Sequence, residues 1–360
     1  MRRGNRSARL LALGTAALLA AAGCGSNSSD KTSTPKAGAS GASSTASGGT
    51  SGKNLRVGVV YDVGGRGDKS FNDAAYAGLV KAQAELGVKG KDLSPDAGGT
   101  NREELLKLLA DGGYNPIITV GFSFSDAVTK VAPKYPKTNF AIIDAVVKGS
   151  NVASLTFGAE QSSFLVGAAA ALKSKTHHVG YIGGVSVPLL KTFQAGFDAG
   201  AKKVDPKVKI DDKYLTNPPD LSGFNSPSKG KEAANGMYDA GADVIYAAAG
   251  GSGTGVFQAA KAKGKLAIGV DSDQYLSADP SLRPVIMTSA LKRVDVAVFD
   301  FINDFSKGKK DTGEQHFDLK NNGVGYSVTG GAVNDIKPKL EQLRAQIISG
   351  AIKVPTTPTK

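Results

Sequence analysis

Short apolar runs alternate with segments of helical periodicity from residue 55 onward. The segments that predict strands are "LRVGVVYD", "PIITVGF", "NFAIIDAVV", "HVGYIGGV", "KIDDKYL", "DVIYAAAGG" and "LAIGVD". Largely apolar strands separated by helices are typical of parallel sheets that are covered on both faces. The pattern therefore predicts an α/β protein. Because the alternation restarts after a crossing near residues 149–155, it also predicts two lobes.

The alternation divides the folded part of the chain between these lobes. Residues 54–150 are expected to form the first lobe, together with a returning segment at about 272–292. Residues 151–271 are expected to form the second lobe, with a returning segment at about 293–355. In open sheets of this kind, ligands bind beyond the carboxyl ends of the strands. The site is therefore predicted in the cleft between the lobes.

Acids and glycines collect at the predicted strand ends. They are Asp62, Gly121 with Phe122, Asp144, Gly183 with Gly184, Gly250 with Gly251, and Asp271. Glycines at such positions let the backbone approach a ligand, and they expose amides at helix N-termini that favour oxygen-rich or anionic groups. Both sheets are thus expected to present a polar edge to the cleft.

The connection "DVGGRGDKSFND", residues 62–73, holds a lone phenylalanine among glycines and acids. One interpretation is that Asp68 or Ser70 caps the following helix and that Phe71 turns into the core. The other is that Phe71 stays at the edge of the cleft as a platform for stacking. The polar surroundings favour the platform for Phe71, whereas capping suits Ser70.

The first 53 residues differ from the rest in composition. Residues 1–23 carry four arginines before the apolar run "LLALGTAALLAAAG", which is too short for a comfortable membrane span and predicts an export signal. Cys24, the only cysteine, ends "AAGC", which resembles a bacterial lipobox. Residues 24–53 are rich in Ser, Gly, Thr and Ala and are expected to form a lipid-anchored flexible tether. A plain secretory signal is the alternative, and both the general secretory and the twin-arginine routes remain open.

The chain is basic, with 44 Lys and Arg against 32 Asp and Glu. Removal of the four signal arginines lowers the net charge from +12 to +8. The lysines are scattered singly and are not massed with aromatic residues along one element. We therefore expect a solvated basic surface and no nucleic-acid partner.

Catalytic motifs are weak in this sequence. "AAAGGSGTG", with Asp271 placed 20 residues after Gly251, loosely resembles a dinucleotide fingerprint, but its glycine spacing is G-x-G-x-G. The three histidines follow no metal-ligand pattern, and no cofactor is expected. The acids at the strand ends could still meet as a glycosidase pair, so a nucleoside or sugar hydrolase remains a minor alternative to a protein without catalytic activity.

Several longer stretches form a recognisable pattern, in order, over residues 55–330. They include "DVGGRGDKSFNDAAYAGL", "NVASLTFGAEQSSFLVGAAAAL", "SPSKGKEAANGMYDAGADVIYAAAGGSGTGVFQAAK" and "AIGVDSDQ". These stretches resemble the basic membrane protein (BMP) family of substrate-binding lipoproteins, which includes purine nucleoside receptors of ABC transporters. The resemblance implies the two-lobed type I periplasmic-binding-protein fold, with the ligand cleft between the lobes.

The resemblance also implies a set of binding residues. Phe71 and Phe224 look like two aromatics that sandwich a base, and Asp271 with Lys292 looks like the pair that holds the ribose hydroxyls. The remaining positions are Asp68, Asn72 and Asp144, which are similar to groups at or beside the base edge, and Gly250 and Gly251, whose amides would approach the sugar. A solvent-exposed Lys292 and a loop-anchoring Phe224 remain alternatives.

The implied function is that of a solute-binding protein held by lipid on the extracytoplasmic face of the cell membrane. It would capture a nucleoside, with a purine favoured, by closing its two lobes as a monomer, and would deliver it to an ABC permease. A lipoprotein that senses the same ligand for a signalling partner is an alternative. Ser186, where many relatives carry an acid, and Arg66 in the first binding loop leave the nucleoside preference open.

Overall fold

The apolar runs form the strands of two six-stranded sheets in the computed structural model, which describes residues 54–359. The strands are β1 (Arg56–Val60), β2 (Lys89–Leu93), β3 (Ile117–Thr119), β4 (Phe140–Ile143), β5 (Val152–Phe157), β6 (His178–Val185), β7 (Lys209–Thr216), β8 (Val244–Ala248), β9 (Leu266–Asp271), β10 (Ile286–Lys292), β11 (Gly313–Phe317) and β12 (Val324–Tyr326). The first sheet has the order β11-β5-β4-β3-β1-β2, and the second has the order β12-β10-β9-β8-β6-β7.

Helices cover both sheets, as expected for strands that are buried on both faces. They are α1 (Phe71–Leu86), α2 (Arg102–Asp111), α3 (Ser125–Val131), α4 (Ala159–Lys173), α5 (Pro188–Val204), α6 (Pro227–Asp239), α7 (Gly253–Lys263), α8 (Gln274–Ser277), α9 (Val294–Ser306) and α10 (Lys337–Ile348). Helix α1 packs on α9, α4 on α5, and α6 on α7. The predicted α/β architecture with two lobes is confirmed.

The pairing of the strands explains where a site can form. Every pair in the first sheet is parallel, and in the second sheet only the pairing of β12 with β10 is antiparallel. The carboxyl ends of the parallel strands therefore meet at one edge of each sheet. The sequence pattern did not predict five of these strands, namely β2, β5, β10, β11 and β12. Strands β2, β11 and β12 lie at sheet edges, and β2 and β11 are largely polar, so they lack the apolar run of a buried strand. The residues of β5 and β10 had been assigned to a crossing and to a returning segment between the lobes.

The strand pairings correct part of the predicted lobe boundaries. Strand β5 belongs to the first sheet, so the chain crosses after Phe157 and not near residues 149–155. Strand β10 pairs with β9 in the second sheet, which corrects the assignment of 272–292 to the first lobe. The segment 293–355 is divided, because α9 packs on α1 and β11 pairs with β5, while β12 pairs with β10. An apolar run carries no local signal of which sheet it joins.

Three connections link the lobes, after Phe157, after Lys292 and after Phe317. The rings of Phe157 and Phe317 stack beside these connections, with centroids 5.1 Å apart and an interplanar angle of 23°. Within residues 54–359, no helix is both long enough and apolar enough to cross a bilayer. The predicted signal peptide, Cys24 and the tether lie outside the described residues.

Candidate functional site

A cavity lies between the carboxyl ends of the two sheets. The space not filled by atoms is about 580 Å³, with open solvent at the mouth included. Its walls include eight of the nine predicted binding residues, namely Asp68, Phe71, Asn72, Asp144, Phe224, Gly250, Asp271 and Lys292. Gly251 stands behind this wall. The structure thus brings together residues that are up to 224 positions apart in the sequence.

The loop before α1 is held by its own polar side chains. Both carboxylate oxygens of Asp68 accept backbone N–H groups, from Ser70 at 3.0 Å, Asn72 at 2.8 Å and Asp73 at 3.1 Å. Burial raises the pKa of Asp68 to about 6, although these N–H donors favour the charged form. Asp68 therefore caps α1, and Phe71 at the first helical position faces the cavity.

Asn72 fixes the end of β1 where it enters this loop. Its Oδ1 accepts the N–H of Asp62 at 2.9 Å, and its Nδ2 donates to the carbonyl of Val63 at 3.5 Å. Asp68 and Asn72 thus line the cavity while their polar atoms bond to backbone. Their predicted contact with a base edge stays a prediction.

Asp62 lines the cavity and was not among the predicted binding residues. Its Oδ1 accepts from the N–H of Val63 at 2.8 Å and from Ser123 Oγ at 2.6 Å, and Arg102 Nη2 lies 3.7 Å from the same oxygen. Its Oδ2 accepts no hydrogen bond from residues 54–359. Burial raises the pKa of Asp62, against the influence of these donors and of the Arg102 charge. In the sequence, the only sign that Asp62 belongs to the site was its position directly after a buried strand. Other acids, such as Asp144 and Asp271, also stand at strand ends, so this position did not distinguish Asp62.

A buried ion pair joins the two lobes across the cavity. Lys292, at the end of β10, donates through Nζ to Oδ2 of Asp144, which follows β4. The two side chains are only 3% and 5% exposed. The structure therefore excludes a solvent-exposed Lys292. Its direct partner is Asp144, whereas the sequence predicted that it acts together with Asp271.

Three aromatic rings surround the Lys292 ammonium. Its Nζ lies 4.5 Å from the ring centroid of Phe71, 5.2 Å from that of Phe157 and 5.7 Å from that of Phe193. Such cation–π contacts attract the ammonium to the faces of the rings. Phe193 also lines the cavity, with Leu189 and Leu190 from the same helix. No signal in the sequence singled out Leu189, Leu190 or Phe193, because their helical spacing is that of ordinary core residues.

Each lobe contributes a predicted aromatic side chain to the cavity. Phe224 belongs to the second lobe, and its ring rests on Gly184, where a Cβ would overlap it. The ring also meets Phe122 of the first lobe edge to face, with centroids 6.5 Å apart and an interplanar angle of 68°. Phe71 forms part of the first-lobe wall. Phe122 also lines the cavity; the sequence placed it at a strand end but did not include it among the binding residues.

Two glycines bring the loop after β8 close to its neighbours. Gly250 has φ of 54°, in the left-handed region that suits glycine. A Cβ on Gly251 would lie 3.2 Å from Asn225 Oδ1 and 3.7 Å from the Cα of Asp68. The loop after β8 therefore packs against the loop before α1 at Gly251, behind the cavity wall.

Comparison with known proteins gives this cavity its context. The family model described as "ABC transporter substrate-binding protein PnrA-like" matches residues 55–358. The chain belongs to this BMP family of substrate-binding proteins. It is 35% identical over 329 residues to the "ABC transporter nucleoside-binding protein BmpA" of Lactococcus lactis, covering 86% of this chain and 92% of that one. It is 34% identical to the "CD4+ T-cell-stimulating antigen" of Listeria innocua, covering 93% and 94%.

The BMP assignment agrees with a solved structure. A solute-binding protein of an ABC transporter system from Aeropyrum pernix is 32% identical, with a TM-score of 0.73, and the match covers 84% of this chain and 94% of that one. The type I periplasmic-binding fold implied by the sequence is thereby confirmed. The family description and the name of the lactococcal relative are both those of binding proteins. Residues 54–359 contain no group of three or more His, Cys, Asp or Glu side chains that could hold a metal ion.

Proposed function

We propose that this ABC transporter substrate-binding protein captures a nucleoside, with a purine favoured, and presents it to its permease. The observation that carries the proposal is a cavity lined by an aromatic ring from each lobe, Phe71 and Phe224, beside the buried groups Asp271 and Lys292. Aromatic faces suit a base, and a carboxylate can accept hydrogen bonds from both hydroxyls of a ribose. The name of the lactococcal relative supports the same ligand class.

The charges of the cavity favour a ligand without phosphate. Four carboxyl groups line it, those of Asp62, Asp68, Asp144 and Asp271, against the single ammonium of Lys292. Burial raises the pKa of Asp271, as it does for Asp62 and Asp68, so added negative charge would be unfavourable there. The cavity therefore suits a neutral nucleoside better than a nucleotide.

A thermal-shift series tests the proposed function. Guanosine, inosine or adenosine is expected to raise the melting temperature, whereas ribose and guanosine 5′-monophosphate are expected to leave it nearly unchanged. Cytidine tests the preference for purines. Stabilisation by sugars alone would contradict the proposal. Mass spectrometry of the recovered ligand addresses the hydrolase alternative, which predicts free base where a binding protein returns intact nucleoside.

Removing either aromatic side chain of the proposed clamp should weaken binding. Phe71→Ala and Phe224→Ala are each expected to lose roughly 1–3 kcal/mol, on the order of 5- to 150-fold in Kd, because a stacked base loses one aromatic face. Isothermal titration with the best nucleoside measures the change. Phe299→Ala is the matched control, because Phe299 is a partly buried phenylalanine of α9 outside the cavity wall. Wild-type affinity in both clamp variants would refute the clamp.

The proposal includes a lipid anchor at Cys24 on the extracytoplasmic face of the membrane, with a monomeric body. Cys24→Ala is expected to abolish incorporation of radiolabelled palmitate and to shift the protein from the membrane to the soluble fraction. A plain secretory signal predicts no difference between variant and wild type. Nucleoside uptake by cells that lack the protein separates delivery to a permease, which needs it, from sensing for a signalling partner.

A further inference from the structure

Five hydrogen bonds join the loop before α1 in the first lobe to the end of β9 and the segment that follows it in the second. We call the two segments, residues 69–70 and residues 270–277, the clasp. Ser70 Oγ has one hydrogen, which it donates to Asp271 Oδ2 (2.7 Å) and shares with the more distant Val270 carbonyl (3.1 Å). Ser272 Oγ donates to the Ser70 carbonyl (2.9 Å). Gln274 Nε2 (3.1 Å) and Ser277 Oγ (3.2 Å) donate to the Lys69 carbonyl.

Each half of the clasp is built within its own lobe. In the first lobe, Lys69 has φ of 57°, an uncommon conformation for a lysine, and the carboxylate of Asp73 accepts its N–H at 2.9 Å. In the second lobe, Gln274 is 1% exposed, and its Oε1 accepts the N–H of Val270 at 2.9 Å while its own N–H donates to Ser289 Oγ at 3.1 Å. Each half is thus held by hydrogen bonds within its own lobe.

Ser70 connects the clasp to the cavity. It is fully buried, and its hydroxyl takes no part in capping α1, because Asp68 accepts the N–H groups there. It donates to Oδ2 of Asp271, a residue that lines the cavity and has φ of 63°. Oδ1 of Asp271 accepts no hydrogen bond from residues 54–359. One carboxylate oxygen is therefore held from the opposite lobe, and the other is available to a ligand.

We propose that Ser70 is a positioning residue for ligand capture: its hydroxyl, in the first lobe, orients the Asp271 carboxylate of the second lobe toward the sugar. The inference rests on the proposed function, which gives Asp271 the ribose hydroxyls. Because the hydrogen bond crosses between lobes, the carboxylate is correctly oriented only when the clasp is closed. Recognition of the ribose diol and closure of the lobes are then one coupled event.

The test compares two ligands in two proteins. Inosine and 2′,3′-dideoxyinosine, which lacks the diol, are titrated calorimetrically into wild type and Ser70→Ala. We expect the variant to bind inosine about tenfold more weakly and the dideoxy compound with less than about twofold change, because only the first uses the oriented carboxylate. Ser162→Ala is the matched control: Ser162 is also buried, but its hydroxyl bonds within α4, at 3.1 Å to the Ala159 carbonyl.

The outcomes separate this inference from the proposed function. Equal weakening of both ligands would mean that Ser70 is merely structural, and unchanged affinity for inosine would mean that it does nothing to Asp271; either result overturns the inference alone. Failure of wild type to bind any nucleoside overturns the proposed function and the inference with it. Should Ser70→Ala fail to fold, Ser70→Cys keeps the volume with a much weaker donor and is expected to discriminate the two ligands in the same way.

Discussion

Replacing Lys292 with methionine is expected to lower the free energy of unfolding by about 3–5 kcal/mol. Methionine keeps most of the chain length, but it leaves the carboxylate of Asp144, whose side chain is 5% exposed, without its counterion in a cavity that it shares with Asp62 and Asp271. Urea unfolding of the ligand-free protein at pH 7 measures the loss, with midpoint and slope fitted separately. Nucleoside binding should be abolished at the same time.

Two further variants show whether the loss comes from an unpaired buried charge. Lys292→Met/Asp144→Asn removes both charges of the ion pair, so most of the stability should return while nucleoside binding stays lost. Lys130→Met removes an exposed lysine that lies 2.6 Å from Glu103, and it should change stability little. If Lys292→Met unfolds at the wild-type urea concentration, the pair does not hold the lobes as described.

Replacing Asp198 with asparagine is expected to stabilise the protein at neutral and alkaline pH. Asp198 lies on α5 and is 6% exposed, and its Oδ1 has no hydrogen-bond partner among residues 54–359. Burial, together with repulsion from Asp212, raises the pKa of Asp198 to about 7 from an ordinary value of 3.8. Between these two values the folded protein keeps a proton that the unfolded chain releases.

The sign of the pH dependence follows from that proton. The contribution of Asp198 to wild-type stability should be fully present below about pH 4 and should be lost as the pH rises to about 7, by no more than about 1.4 kcal/mol per pH unit. Asparagine does not titrate, so Asp198→Asn avoids this loss. At pH 8 the variant should therefore be more stable than wild type by up to about 4 kcal/mol, with the difference vanishing near pH 4. Urea unfolding of both proteins at several pH values measures this difference in the free energy of unfolding.

A surface carboxylate provides the comparison for Asp198. Asp239 pairs with Lys263 at the surface and is 63% exposed. Asp239→Asn should follow the wild-type profile of stability against pH. A constant difference between Asp198→Asn and wild type across the pH range would show that the carboxyl does not titrate in this window, and would contradict the proposed cause.

The sequence alone determined the elements of this fold and the edge at which a site could form. Strands such as β1, β4, β8 and β9 are apolar at nearly every position because both faces are buried. Such a run can be recognised from the sequence of the strand itself. The position directly after a parallel strand is also local information. For this reason Asp144, Asp271 and Gly250 could be placed at the cavity before any coordinates were known.

The tertiary structure decided how those residues are paired. Lys292 meets Asp144 across 148 positions of sequence, and Ser70 meets Asp271 across 201. Both contacts depend on which sheet each strand joins and on how the two lobes face each other, which no local pattern records. The same reason applies to β10, whose place in the second sheet is not recorded in its sequence. It applies also to Asp62: that its Oδ2 accepts no hydrogen bond from residues 54–359 is known only because Ser123 and Val63 are seen to bond to its Oδ1. Local periodicity fixes an element, whereas a cross-lobe contact exists only in the assembled fold.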